Sequence, residues 1–142
     1  MDTNKKNLLG VLFEGQDSDR EMEVLNSISE KVIGSAFKVG STLGCGFLEK
    51  VYENALAFEL KKIGLRVGQQ QAISVSYEGI EVGKYEADLL VEGRVLVELK
   101  AVRDMNDIHR AQCLNYLRAT GLKLCLLINF GNPRVEVKRV IL

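Results

Sequence analysis

The chain has 142 residues, 46% of them apolar and 27% charged, a composition that suits one soluble globular domain with a sizeable core. Lysine plus arginine and aspartate plus glutamate balance at 19 each, so net charge gives no support to strong nonspecific polyanion binding, although a local basic face remains compatible with it. No apolar stretch is long enough to span a membrane, the N-terminus lacks a signal-peptide core, and a cytoplasmic location is the expectation.

Residues 1–18 are poorly periodic and are expected to form an N-terminal arm, with the domain proper over 19–142. Ser18 or Asp19 is placed to cap a first helix, in which Met22, Leu25, Ser29, Val32, Ala36 and Val39 recur at helical spacing. Gly44-Cys45-Gly46 breaks it. A second helix follows, with Leu48, Tyr52, Ala55, Leu56, Glu59 and Ile63 on one side and Gly64 as its stop. The period then changes to two. Residues 72–77 read as a strand, Glu78-Gly79 as a tight turn, and 80–91 as the returning strand. Glu92-Gly93-Arg94 turns into a third strand over 95–102. Asn106 or Asp107 is placed to cap a third helix over 108–120, ended by Gly121. Residues 123–130 contain a fully apolar run, as in a buried parallel strand, and Val135, Val137 and Val140 mark a last edge strand. The order is α-α-β-β-β-α-β-β. A right-handed crossover through the third helix makes the sheet mixed, with helices packed on it.

Chemistry concentrates in the third strand, Val95-Leu96-Val97-Glu98-Leu99-Lys100-Ala101-Val102. Glu98 and Lys100 stand two apart and so point the same way. Charges inside an apolar strand are costly unless paired, hydrated or bound to metal. Asp88 opens the apolar run Leu89-Leu90-Val91 on the preceding strand. Asp88 and Glu98 share a side only if the connecting loop has an odd number of residues, as Glu92-Gly93-Arg94 would, or if a bulge compensates. Hard carboxylate oxygens suit Mg²⁺ or Mn²⁺. The bland reading is a solvated strand pair, but Leu96 and Val102 on the same face imply burial. Cys45, Cys113 and Cys125 form no Cys-x-x-Cys pair, so neither a zinc site nor a disulfide framework is expected, and Cys113 and Cys125 read as core. His109 is the only histidine, which excludes mechanisms that need two.

These residues together resemble the PD-(D/E)XK nuclease superfamily, and within it the GxxExxY family. The signature is Gly46-Phe47-Leu48-Glu49-Lys50-Val51-Tyr52. Further matches are Tyr85-Glu86-Ala87-Asp88-Leu89-Leu90-Val91, Val97-Glu98-Leu99-Lys100-Ala101-Val102, Gln112-Cys113-Leu114-Asn115-Tyr116-Leu117 and Leu127-Ile128-Asn129-Phe130-Gly131. The resemblance covers about residues 20–142 and implies a restriction-endonuclease-like α/β fold, with an α-β-β-β-α-β core and a mixed sheet flanked by helices. It implies Glu49, Asp88 and Glu98 as active-site acids and Lys100 as the catalytic lysine. A Gln-x-x-x-Tyr motif falls on Gln112 and Tyr116. The carbonyl of Leu99 would join Asp88, Glu98 and Glu49 as a metal ligand. Two positions depart from the family pattern: Gly40 stands where many relatives have His, and Glu86 where many have a basic residue.

Each assignment has a plainer reading. An acid at Glu49 is favoured by the helix dipole without any function. Tyr52 suits core packing. Gln112 and Tyr116 share a helix face by spacing alone. His109 fits a helix-start surface residue as well as a pocket edge. Arg134, Lys138 and Arg139 read first as a charged edge that discourages aggregation. The expected function is a Mg²⁺- or Mn²⁺-dependent nuclease acting on DNA or RNA. The alternative is a non-catalytic nucleic-acid-binding or partner-interaction domain that keeps the fold. Oligomeric state stays open.

Overall fold

The structure is a computed structural model that describes residues 3–142, with side chains from residue 18 onward. Its elements are α1 (Thr3–Leu43), α2 (Glu49–Lys62), β1 (Val67–Tyr77), β2 (Ile80–Val91), β3 (Val95–Lys100), α3 (Asp107–Thr120), β4 (Leu124–Asn129) and β5 (Glu136–Ile141). The five strands form one sheet in the order β1-β2-β3-β4-β5. All neighbours are antiparallel except β3 and β4, which the α3 crossover makes parallel. This is the mixed α/β arrangement expected from the element order.

The core has two layers, because β3 and β4 bury both faces. Val97, Leu99, Leu126 and Ile128 pack beneath α1 and α2, against Val32, Ala36, Leu56 and Leu60. Leu96, Cys125 and Leu127 pack beneath α3, against Cys113 and Leu117. Every residue of β4 is buried, which accounts for its unbroken apolar sequence.

Several boundaries differ from those predicted. The first helix is far longer, so Ser18 and Asp19 lie inside α1 rather than at its start. No proline interrupts residues 3–43, so nothing in that segment forces an earlier end. The arm expected over 1–18 falls on residues whose side chains, apart from that of Ser18, lie outside the described ones. The buried face of α2 is also rotated from the expected one. Tyr52, Glu53, Leu56, Ala57 and Leu60 face inward, while Leu48 and Ile63 are exposed. β1 begins five residues before the predicted strand, at Val67, through a glycine- and glutamine-rich stretch without apolar alternation. β3 ends at Lys100, two residues early.

Gly40 has a physical reason to lack a side chain. A Cβ there would run into the Val135 side chain, where α1 crosses the segment leading into β5. A side chain at this point would need Val135 to shift. Gly40→Ala is expected to destabilise the fold by about 1–3 kcal/mol through overpacking. Urea unfolding checks this, and a change within about 0.5 kcal/mol would contradict the tight approach.

Candidate active site

The site forms where β2 and β3 part. Their ladder runs Val91↔Val95, Leu90↔Leu96 and Leu89↔Val97, closed by the three-residue loop Glu92-Gly93-Arg94. The odd loop sets the register in which Asp88 and Glu98 come next as opposite neighbours. There the ladder stops and the two acids take its place. Glu98 Oε1 accepts the Asp88 N–H at 3.1 Å, and Asp88 Oδ2 accepts the Leu99 N–H at 2.8 Å. Each carboxylate thus satisfies an amide of the other strand. Because Val97 and Leu99 lie in the α1–α2 layer, Glu98 and Lys100 point to the α3 side.

β2 also changes face at this level. Ala87 packs in the α3 layer, yet Leu89, two residues on, packs in the α1–α2 layer. A regular strand would keep both on one face. Across from Asp88, Gln70 of β1 has φ 51, a left-handed conformation that a non-glycine residue holds at a cost of about 1–3 kcal/mol. Its amide is used on the spot. Gln70 Nε2 donates to Glu53 Oε1 and reaches Asp88 Oδ1 at 3.4 Å.

Glu53 is the residue the sequence reading missed. It is 3% exposed on α2. Lys50 Nζ and Gln69 Nε2 donate to its Oε2 at 2.8 and 2.7 Å, in addition to the bond from Gln70. Glu53 therefore ties α2 to β1 and, through Gln70, to Asp88. The signal was its place one residue from the expected apolar face of α2, opposite a run of three glutamines.

Glu49 stands in the first turn of α2 and stays exposed. Tyr52 fixes this helix start: its hydroxyl donates to the Gly44 carbonyl at 2.7 Å and accepts the Phe47 N–H at 3.2 Å. Its ring stacks on Phe130 at 4.6 Å. The packing role expected of Tyr52 is what the structure contains, with a loop clamp added.

On α3, Gln112 Nε2 donates to the Tyr116 hydroxyl at 2.8 Å, so the two residues act as one unit. His109 Nδ1 accepts the Asn106 N–H, while the Asn106 side chain accepts from Ile108 and His109, a reciprocal cap on the helix start. Lys100, His109, Gln112 and Tyr116 line one groove of about 920 Å³ between α3 and the β1–β2 hairpin.

Electrostatics distinguish these groups. Burial, then the Asp88 charge, pushes Glu98 up to about 8. Burial also raises Asp88, against the Leu99 N–H bond that lowers it. Glu49 is raised by partial desolvation of its carboxyl, although the residue as a whole is exposed, with the charges of Lys100 and Asp88 acting in opposite directions. Burial pushes Tyr116 up to about 12, so its hydroxyl remains a donor. Burial and the Asp88 charge disfavour ionised Glu98, and burial and the Glu53 charge disfavour ionised Asp88, a condition a cation relieves.

Among the described residues no group of three or more His, Cys, Asp or Glu side chains is gathered as a metal cluster. Asp88 and Glu98 adjoin, and Glu49 at the α2 start feels the Asp88 charge without joining them in such a group. Arg134, Lys138 and Arg139 lie at or near edge strand β5, away from the groove lining. Cys113 and Cys125 are buried and free, as expected of core residues, and Cys45 is exposed. No helix of the described residues is long and apolar enough to cross a membrane.

A family profile described as the PD-(D/E)XK nuclease superfamily matches residues 26–140. No curated protein matches the chain. Among solved structures, the crystal structure of SSO0001 is similar with a TM-score of 0.50 and 16% identity, over 86% of this chain and 61% of that one. The chain thus spans less than two thirds of that protein's length, and the likeness is one of fold. An alkaline exonuclease (LHK-Exo) from Laribacter hongkongensis is similar with a TM-score of 0.40 and 13% identity, over 80% of this chain and 81% of that one.

Proposed function

The chain belongs to the PD-(D/E)XK nuclease superfamily, and on that premise we propose that it is a divalent-metal-dependent nuclease that hydrolyses phosphodiester bonds of DNA or RNA. The observation that supports this best is the interlocked pair Asp88 and Glu98 at the strand fork, with Lys100 on the same strand face as Glu98 and opening into the groove. The GxxExxY signature at Gly46, Glu49 and Tyr52 supports a narrower placement within that superfamily.

The donor set fits Mg²⁺ or Mn²⁺. Asp88 and Glu98 would hold the ion, with the Leu99 carbonyl and Glu49 as further oxygen ligands. Mg²⁺ sites commonly use one or two carboxylates plus water and substrate phosphate, so a three-acid cage is not required. When bound, the ion lowers the pKa of a water and offsets charge on the phosphoryl oxygens. Lys100 would orient the attacking water and stabilise the negative charge that develops in the transition state. Tyr116, whose hydroxyl accepts from Gln112 and keeps its own proton, would donate to a phosphate oxygen of the nucleic-acid backbone. A panel of single- and double-stranded DNA and RNA with Mn²⁺ tests the proposal. Cleavage of none of them, beside intact folding, would favour the non-catalytic binding domain.

The pair also sets a pH dependence. Glu98 is raised from its ordinary 4.5 to about 8, first by burial and then by the Asp88 charge. The folded state therefore holds its proton more tightly than the unfolded chain does, and the associated stability is complete below about pH 4.5 and lost as pH rises towards 8. In EDTA the melting temperature is expected to fall over that window. Glu98→Gln should flatten the fall, and millimolar Mn²⁺ should offset it by mass action. Identical pH profiles for wild type and Glu98→Gln would contradict the assignment.

A further inference from the structure

We infer that the groove beside Lys100 is a seat for single-stranded nucleic acid, in which an unpaired base stacks on Tyr85 while the strand's phosphates run towards Lys100. This rests on the nuclease reading for the identity of the polymer and adds the strandedness of the substrate.

Three features of the groove carry it. The first is charge. In a chain whose acids and bases balance at 19 each, the groove lining contains Lys100 and Arg118 and no Asp or Glu. A polyanion is the ligand such a lining selects. The second is the aromatic surface. Tyr85, on β2, is 52% exposed although its ring lies 5.7 Å from the buried ring of Tyr116. Tyr116 supports the Tyr85 ring from beneath its groove-lining position, and about half of Tyr85 stays exposed. Ile108, 75% exposed at the α3 start, offers a further apolar surface on the same lining. A flat ring joined to an anion matches both, and base–aromatic stacking is tolerant of base identity because every base has a π-face. The third is size. About 920 Å³ lies within the range of pockets that enclose a small organic molecule. It has room for a few nucleotides of one strand, whose unpaired bases are free to reach the Tyr85 ring.

Tyr85 stands three residues before Asp88 on β2, with Tyr116 against its ring and Gln112 bonded to the Tyr116 hydroxyl. Asn115, whose Oδ1 accepts from Arg118 at 3.2 Å, keeps the guanidinium along the α3 rim, where a second phosphate would lie. Ser74 and Ser76 on β1 line the opposite wall and supply hydroxyl groups able to bond a base edge.

The test reads binding without cleavage. An oligodeoxynucleotide of about ten residues, a length typical of single-strand sites, carries one 2-aminopurine and is titrated with the protein in EDTA. Wild type is expected to bind the single strand more tightly than the matching duplex and to quench the 2-aminopurine. Tyr85→Leu should remove the quench and weaken single-strand binding by roughly 5- to 100-fold, the loss of one stacking contact. Arg118→Gln should keep the quench and make the salt dependence shallower, by about 0.7 in the slope of log K against log salt. Equal or tighter duplex binding, or a Tyr85→Leu protein that quenches and binds like wild type, would overturn the inference. Because no metal is present, cleavage in a separate Mn²⁺ assay fails or succeeds independently of these outcomes.

Discussion

Lys100→Ala is expected to lower metal-dependent phosphodiester cleavage by roughly 10²–10³-fold, the usual loss when one stabiliser of developing charge is removed. The side chain is only partly buried and opens into the groove, so its loss removes little core volume. The melting temperature should stay close to that of wild type. Asp88→Asn should abolish cleavage as well, by removing a negative charge from the metal-binding pair while leaving an oxygen for the Leu99 N–H. Rates from a purified sample, set beside a thermal melt, separate a chemical loss from an unfolded protein. Cleavage at the wild-type rate in Lys100→Ala would remove the catalytic assignment.

Asn129→Ala is expected to cost about 3–5 kcal/mol of stability, although the residue is polar and touches no proposed ligand. Asn129 is fully buried at the end of β4. Its Oδ1 accepts the Val102 and Gly131 N–H groups at 3.0 and 2.9 Å, and its Nδ2 donates to the Val102 carbonyl at 2.8 Å. Truncation leaves these backbone groups without partners, at roughly 1–3 kcal/mol for each that stays buried. The approach there is close enough that a Cβ on Gly131 would meet the Val102 backbone. Because this clamp sits two residues beyond Lys100, cleavage should fall in parallel even at temperatures where the variant is folded. Urea unfolding measures the first effect. A loss under about 1 kcal/mol would show that water replaces the side chain.

What could be read from the sequence divides by the kind of force that shapes each element. β4 was legible because a strand buried on both faces must be apolar throughout. α3 was legible because Asn106 and Gly121 are local cap signals, and both act as caps in the structure. The face shared by Glu98 and Lys100 follows from period two, and the odd loop at Glu92-Gly93-Arg94 follows from register. The start of β1 was not legible, because Gln69 and Gln70 are held by Glu53 across the sheet edge and not by apolar alternation. Glu53 was missed for the same reason: its burial depends on partners far away in sequence. The left-handed Gln70 and the change of face at Asp88 are likewise tertiary, since no glycine or proline at those positions announces them. Gly40 gave no signal of its own in the sequence, because its lack of a side chain is explained only by packing against Val135.

The central claim is that Asp88 and Glu98 together hold a divalent cation. Isothermal titration of Mn²⁺ into the protein near pH 8, with wild type beside Asp88→Asn, tests it most directly, since Glu98 is ready to ionise there. The expected result is a single weak binding event in wild type, with protons released as Glu98 ionises, and no such event in Asp88→Asn. The same heat and the same proton release from both proteins would contradict the claim.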